Sequence, residues 1–108
     1  MRKMKIYGLS EGKTNILDGI LPVGSLRQGG LHFFKPGEVA HADEARHVHE
    51  DHYEVFINVQ GSGTVEVEGE DVDFELGDVI LIEPGESHHV RSDDDNPLVN
   101  LWMGAEMD

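Results

Sequence analysis

The sequence contains no cysteine, few basic residues and no long hydrophobic run. Without cysteine, the chain can form neither disulfide bonds nor thiolate metal sites, and it has no cysteine nucleophile. A reducing compartment suits such a chain, so we expect a soluble protein of the cytoplasm. No stretch approaches the ~20 apolar residues that a transmembrane helix needs, and the basic start of the chain lacks the apolar core of a signal peptide.

The shortage of basic residues narrows the range of partners. Eight lysines and arginines stand against 22 acids, which gives a formal net charge of −14. Nucleic-acid binding depends on clustered cations that neutralise phosphates, so we expect no nucleic-acid partner, and an anionic membrane surface is disfavoured on the same grounds. An anionic substrate is still compatible with this charge, because a bound divalent cation dominates its immediate surroundings.

The chain of 108 residues is long enough for one hydrophobic core. Glycines recur at strand-length intervals, and short alternating segments lie between them, without a helical period. This pattern predicts an all-β sandwich or barrel. The strands that we predict are Met4–Leu9, Leu31–Phe34, Glu54–Gln60, Thr64–Val67, Val72–Leu76, Val79–Ile82, a strand that opens at His88, and Leu98–Met103, before a polar tail over Gly104–Asp108.

A cluster of histidines precedes one of these strands. His47 and His49 are two residues apart, so on a strand both imidazoles point to the same face, whereas on a helix they would diverge. If a short turn over Glu50–Tyr53 joins this strand to the next, Glu54 can face the same interior. Two imidazoles and a carboxylate form a site for a divalent metal ion.

A fourth candidate ligand, His88, follows a Pro84–Gly85 turn. At this point the spacing H47-x-H49-x4-E54-x6-G61, followed by G77-x5-E83-P84-G85-x2-H88, resembles the two motifs of the cupin superfamily. The resemblance covers roughly residues 36 to 90. It implies an antiparallel double-stranded β-helix (the jelly-roll or cupin barrel) as a single domain over residues 1–108, with N-terminal strands in 1–35 and the metal-motif barrel in 36–103.

The resemblance also implies a ligand set and a partner. Carried over residue by residue, the resemblance implies that His47, His49, Glu54 and His88 hold one divalent transition metal from the set Fe, Mn, Ni, Co and Zn. Cupins often dimerise by covering an apolar outer face, and Val55, Ile57 and Val59 form such a face here. Either the N-terminal strands or a second subunit should cover it, and we expect a homodimer.

The alternation of side chains extends the site beyond the metal ligands. Phe56, Asn58 and Val90 share the inward face, so we expect them to line the cavity, with Phe56 and Asn58 contacting its occupant. Asn58 would be a buried polar group in need of a partner. His52 is the candidate catalytic base. The remaining histidines are expected to lie outside the site, with His32 on a strand surface, His41 in a loop and His89 facing away from His88.

Four protein ligands leave about two positions open on an octahedral metal ion, where substrate or dioxygen can bind. We therefore expect a metal-dependent enzyme of the dioxygenase, decarboxylase or isomerase type, acting on a small oxygen-rich molecule. The alternatives are a non-enzymatic small-ligand or metal-binding module and, less favoured, a metal-free scaffold that partners another protein. The sequence has no P-loop, dinucleotide fingerprint or Ser–His–Asp arrangement.

Overall fold

Two antiparallel β-sheets make up the part of the chain that the structure, a computed structural model, describes: residues 1–5, 26–40, 48 and 50–107. One sheet has five strands in the order β1-β6-β3-β8-β2, and the other has three in the order β5-β4-β7. The strands are β1 (Arg2–Lys5), β2 (Leu26–Phe33), β3 (Tyr53–Gln60), β4 (Gly63–Val67), β5 (Glu70–Phe74), β6 (Asp78–Ile82), β7 (His88–Ser92) and β8 (Val99–Ala105).

These two sheets confirm the predicted all-β fold. Because side chains alternate along each strand, each sheet has one face that packs into a shared core. Phe56 and Ile80 of the larger sheet pack with Val65, Phe74 and Val90 of the smaller sheet in one buried cluster. Each fully buried aliphatic or aromatic side chain contributes about 1.5–3 kcal/mol relative to leaving it exposed. The jelly-roll interior therefore lies between the sheets, and the site described below opens into it.

The larger sheet also has an apolar outer face, as predicted. Val55 and Ile57 are 0% and 2% exposed within the single chain, so their burial does not require a second subunit. The face is less covered near β2, where Leu31, Phe33 and Val59 are 50%, 68% and 45% exposed. The homodimer stays a prediction, and it is this part of the face that a second copy could cover.

Strand β1 is fixed to the larger sheet by a buried carboxylate. Asp78 opens β6 and is fully buried, and its carboxylate forms ion pairs with Lys3 and Lys5 of β1. It also accepts a 2.7 Å hydrogen bond from the N–H of Glu75. Burial by itself raises the pKa of Asp78, but the bonds from Lys5, Glu75 and Lys3 outweigh it and hold the pKa below its usual range.

Several predicted boundaries move, and some predictions fall outside the described residues. Strand β1 lies at Arg2–Lys5 rather than Met4–Leu9, whose residues from 6 onward are not described. The last strand continues to Ala105, so the predicted tail at Gly104 begins too early. The strand expected to carry His47 and His49 also falls outside the described residues, as does His41. Within the described ranges, no helix is long and apolar enough to cross a membrane.

Candidate metal centre

A tight turn presents His88 to the interior. Pro84 and Gly85 form its central positions, and the N–H of Glu86 donates to the carbonyl oxygen of Glu83 at 3.1 Å. Gly85 has φ of +88°, which L side chains rarely adopt but which the second central position of a type II turn requires. The carboxylate of Glu86 also accepts the N–H of Glu83 at 2.8 Å, which closes the turn before β7 begins.

The imidazole of His88 is held in one tautomer. Its Nδ1 lies 3.1 Å from the carbonyl oxygen of Glu86. A carbonyl oxygen can only accept a hydrogen bond, so Nδ1 carries the proton, and in the neutral ring Nε2 carries the lone pair. Histidines that bind metal ions are oriented in this way by a bond from their other ring nitrogen to a carbonyl or carboxylate. Only 4% of the His88 side chain is exposed.

Glu54 faces this lone pair from the adjacent sheet. It sits near the start of β3, and its Oε2 lies 3.8 Å from Nε2 of His88. Two atoms that each bind one metal ion at about 2.1 Å lie roughly 3.0–3.4 Å apart. The observed separation of 3.8 Å is only a few tenths of an ångström above that range. The two side chains are therefore close enough to be the nitrogen and oxygen ligands of a common metal ion.

Glu54 and His88 lie on the wall of a cavity of about 230 Å³, somewhat below the roughly 300–1,000 Å³ of pockets for drug-sized ligands. A small molecule therefore fits better than a large one. The ring of Phe56 lies beside His88, with centroids 5.9 Å apart. The wall is mostly apolar and aromatic with a few polar groups, and it is formed by His32, Phe34, Ala40, Glu54, Phe56, His88, His89, Val90, Asn100 and Trp102.

Two of the four predicted ligands thus converge, and the other two, His47 and His49, lie outside the described residues. Among the residues that are described, no group of three or more histidines, cysteines or acids is placed to hold a metal ion. The completed ligand set is therefore a prediction that combines the observed Glu54–His88 pair with the spacing of the motif.

The other predicted site residues take different positions. Phe56 and Val90 line the cavity. Asn58 is buried, but both N–H bonds of its amide are used by backbone carbonyls, those of Gly61 at 2.9 Å and Phe74 at 3.1 Å. It does not appear among the described residues of the cavity wall. The same holds for His52, whose Nδ1 lies 2.7 Å from Oδ1 of Asp51.

The structure adds lining residues that the sequence did not reveal. His32 belongs to the cavity wall, so its assignment to the strand surface was wrong, and His89, which was expected to face away, also borders the cavity. Asn100 and Trp102 enter from β8. Their even-numbered alternation along that strand was visible in the sequence, but nothing in the sequence indicated which face was the inner one.

His32 is itself fixed by two neighbours. Its ring stacks on Phe34, with centroids 3.8 Å apart and planes 13° from parallel. Its Nε2 lies 3.3 Å from the carboxylate of Glu38. The pKa of Glu38 lies below its usual range, chiefly because the carboxylate accepts the backbone N–H of Lys35 at 2.8 Å and also bonds His32. Glu38 is therefore an ionised acceptor for the imidazole N–H.

A comparison with known protein families agrees with the observed fold. The cupin domain family matches residues 29–104, which include Glu54, His88 and most of both sheets apart from β1. This chain belongs to the cupin family. No curated protein matches it.

Solved structures similar to this cupin share its fold over most of its length. A predicted oxalate decarboxylase from Thermotoga maritima is 25% identical, with a TM-score of 0.67 over 77% of this chain and 69% of the other. KdgF from Halomonas sp. is 27% identical, with a TM-score of 0.57 over 72% and 67%. A putative sugar phosphate isomerase from Acidithiobacillus ferrooxidans is 25% identical, with a TM-score of 0.61 over 76% and 53%.

Proposed function

We propose that this cupin is a metal-dependent enzyme that acts on a small oxygen-rich molecule in its cavity, by oxidative cleavage, decarboxylation or isomerisation. One observation carries the proposal: Nε2 of His88 and Oε2 of Glu54 lie 3.8 Å apart on the cavity wall. The Glu86 carbonyl fixes the His88 proton on Nδ1, so a lone pair and a carboxylate oxygen are directed toward the same space. An imidazole nitrogen and a carboxylate oxygen are both atoms that divalent transition metals bind.

The proposed ligands are His47, His49, Glu54 and His88. Three imidazoles and one carboxylate suit Fe, Mn, Ni, Co or Zn in the divalent state, and the ligand types do not choose among these metals. When bound, such a metal ion supplies Lewis acidity and a place at which water or dioxygen is activated.

The residues around the ligands have their own tasks. Phe34, Phe56 and Val90 keep water away from the reacting molecule, which strengthens electrostatic interactions inside the cavity. His52 is the proposed base. With its Nδ1–H donated to Asp51, its Nε2 carries the lone pair that accepts a proton. Movement of the residues before β3 would have to bring that ring to the substrate.

Two similar structures support the choice of reaction types. One carries the name of a predicted oxalate decarboxylase and another that of a putative sugar phosphate isomerase. Both names describe chemistry on small oxygen-rich molecules. Such molecules fit a cavity of about 230 Å³ whose wall carries a carboxylate and several imidazoles.

Metal content tests the proposal first. Untagged protein is reconstituted separately with Fe(II), Mn(II), Ni(II) and Zn(II), freed of excess metal and analysed by mass spectrometry. We expect about one ion per chain in the wild type and large losses in His47→Ala and His88→Ala. His89→Ala, which removes the neighbouring histidine on the same strand, is the matched control and should keep its metal. A wild type without metal after all four reconstitutions would overturn the enzyme proposal.

Turnover then separates the enzyme from the alternative of a non-enzymatic module. The metal-loaded protein is assayed with oxalate, acetylacetone and a keto sugar. Product formation that is lost in His88→Ala supports an enzyme, whereas binding without product favours the small-ligand or metal-binding module. The cytoplasmic location stays a prediction from the sequence.

A further inference from the structure

The peptide group that joins Glu86 to Ser87 is held by hydrogen bonds at both of its ends. Its carbonyl oxygen accepts the Nδ1–H of His88 at 3.1 Å, which is the bond that fixes the tautomer of this proposed ligand. Its N–H donates to Oε1 of Glu68 at 3.1 Å. A peptide group is planar, so the direction of its N–H also sets the direction of its carbonyl oxygen. Glu68 therefore fixes the carbonyl that orients the His88 ring.

Two further contacts join Glu68 to Ser87. Oγ of Ser87 donates to Oε2 of Glu68 at 3.4 Å, and the backbone N–H of Glu68 donates to the carbonyl oxygen of Ser87 at 2.9 Å. Val67 and His88 are the last pair in register between β4 and β7, and Glu68 and Ser87 follow them directly. The contacts of Glu68 thus extend the pairing of the two strands into the turn that carries His88.

Glu68 adopts a backbone conformation that its residue type disfavours. Its φ is +49°, and it is the only residue other than glycine with a positive φ in the described ranges. Glu68 and Gly69 form the two-residue turn between β4 and β5, and a type I′ turn requires positive φ at both positions. Asparagine, aspartate or glycine suits the first position better, because the left-handed conformation is unfavourable for other residues. Such an outlier is a reason to look for a function of the side chain.

We propose that Glu68 is a positioning residue of the metal centre and that it acts on His88 through the Glu86–Ser87 peptide group. The proposal rests on the proposed function, in which His88 is a metal ligand. Metal-binding histidines are often bonded directly to a carboxylate, which orients the ring and raises the basicity of the ligating nitrogen. Here the peptide group stands between the two, and hydrogen bonds in a chain polarise one another. The chain ends at Nε2 of His88, 3.8 Å from Oε2 of Glu54.

Nuclear magnetic resonance of the metal-free protein tests this chain on the imidazole itself. Isotope-labelled ring nitrogens report which of them carries the proton, and the spectrum of His88→Ala assigns the His88 signals. At about pH 8, where an ordinary imidazole is neutral, we expect the wild-type His88 proton on Nδ1. Glu68→Asn has a side chain one methylene shorter, which does not reach Ser87, and should show exchange between both tautomers. Glu68→Gln keeps the length and an acceptor oxygen and should restore the wild-type signals.

Metal affinity provides the second readout. Metal-free protein is titrated separately with Fe(II), Mn(II), Ni(II) and Zn(II). Glu68→Asn should weaken binding about three- to tenfold, which is less than the roughly 10–100-fold loss typical of partners that bond the ligand directly. Glu68→Gln should recover most of the affinity. Glu70→Asn makes the same change at the exposed position just after the turn, and it should bind metal as the wild type does.

Thermal unfolding of the metal-free protein separates positioning from a structural role. Asparagine followed by glycine is a favoured pair for a type I′ turn, so Glu68→Asn should keep or raise the melting temperature. A lower melting temperature would show that the contacts with Ser87 serve stability, and it would overturn the proposal. Unchanged His88 signals in Glu68→Asn, or an unchanged affinity for a metal ion that the wild type binds, would overturn it as well.

The failure of the proposed function looks different, because the wild type then binds none of the four metal ions. The positioning of His88 by Glu68 is in that case judged on the tautomer signals alone. Loss of the Nδ1–H tautomer in Glu68→Asn and its return in Glu68→Gln would support the role of Glu68, and identical spectra would overturn it.

Discussion

Replacing Asp78 with asparagine should lower the melting temperature, because the fully buried carboxylate joins β1 to the larger sheet. It accepts the N–H of Glu75 at 2.7 Å and forms ion pairs with Lys3, at 3.3 Å, and Lys5. Asparagine has nearly the same shape and can still accept the N–H, but it loses the charge. The substitution therefore isolates the electrostatic contribution of this side chain.

The expected size follows from the exposure of the partners. The Lys3 side chain is 35% exposed, so its ion pair contributes at most about 1 kcal/mol, and water screens the pair with Lys5 further, since that side chain is 59% exposed. The bond to Glu75 changes from a charge-assisted one to a neutral one, which costs about 1 kcal/mol more. Asparagine is easier to bury than a carboxylate, and this offsets part of the loss. We expect a net loss of about 1–2 kcal/mol, or roughly 4–16 °C in melting temperature.

The loss should depend on pH in a definite direction. The pKa of Asp78 is held below its usual range in the folded protein. A carboxyl whose pKa is lower folded than unfolded adds stability above the unfolded value of about 3.9, and that stability disappears as the pH falls through the folded pKa. The difference between wild type and Asp78→Asn should be full at about pH 7 and should shrink steadily below about pH 4.

Thermal unfolding followed by circular dichroism, repeated across this pH range, measures both effects. Asp71→Asn is the matched control, since it makes the same charge change at an exposed position on the smaller sheet. In a chain of net charge −14 that control should be neutral or slightly stabilising. Equal melting temperatures for the two variants at neutral pH, or a difference that persists unchanged in acid, would refute the reasoning.

Three further predictions concern packing and assembly. Gly61→Ala should cost about 2–4 kcal/mol in unfolding free energy measured with urea, because Gly61 has φ of +78° and a Cβ there would collide with the carbonyl oxygen of Pro97. The left-handed backbone conformation alone costs an L residue about 1–2 kcal/mol, so a change below about 1 kcal/mol would contradict the prediction. Phe74→Ala should cost about 3–5 kcal/mol, whereas Leu76→Ala, at a position 64% exposed, should stay within about 0.5 kcal/mol. The predicted homodimer should scatter light as twice 12.0 kDa, and Phe33→Ser should shift it toward the monomer; a wild-type monomer at micromolar concentration would exclude it.

The strands could be predicted from the sequence because a period of two in side-chain polarity has one physical cause. Alternating side chains such as those of β3 and β4 must divide between a core and an outer surface, whatever the rest of the chain does. The prediction of β3 from Glu54 onward is confirmed to within one residue. Glu54 and His88 could be named as neighbours only through the motif spacing, since 3.8 Å between their side chains depends on two sheets meeting.

Asn58 and His32 show where sequence reasoning was insufficient. The alternation correctly predicted that Asn58 is buried, but the carbonyls that bind its amide come from Gly61 and from Phe74 on a different strand. His32 was expected on the strand surface, whereas it belongs to the cavity wall. Its inward position follows from the antiparallel register of β2 with β8, where it is paired with Asn100.

The sequence by itself determined the all-β class and the strand periodicity, because local alternation constrains these directly. It also supplied the motif spacing from which the metal ligands are predicted. Only the tertiary structure decided which partners the buried amide of Asn58 has and which polar side chains line the cavity. Hydrogen-bond partners of a buried amide depend on the register of strands far apart in the chain. That register brings His32, Asn58 and Asn100 into one row of the sheet.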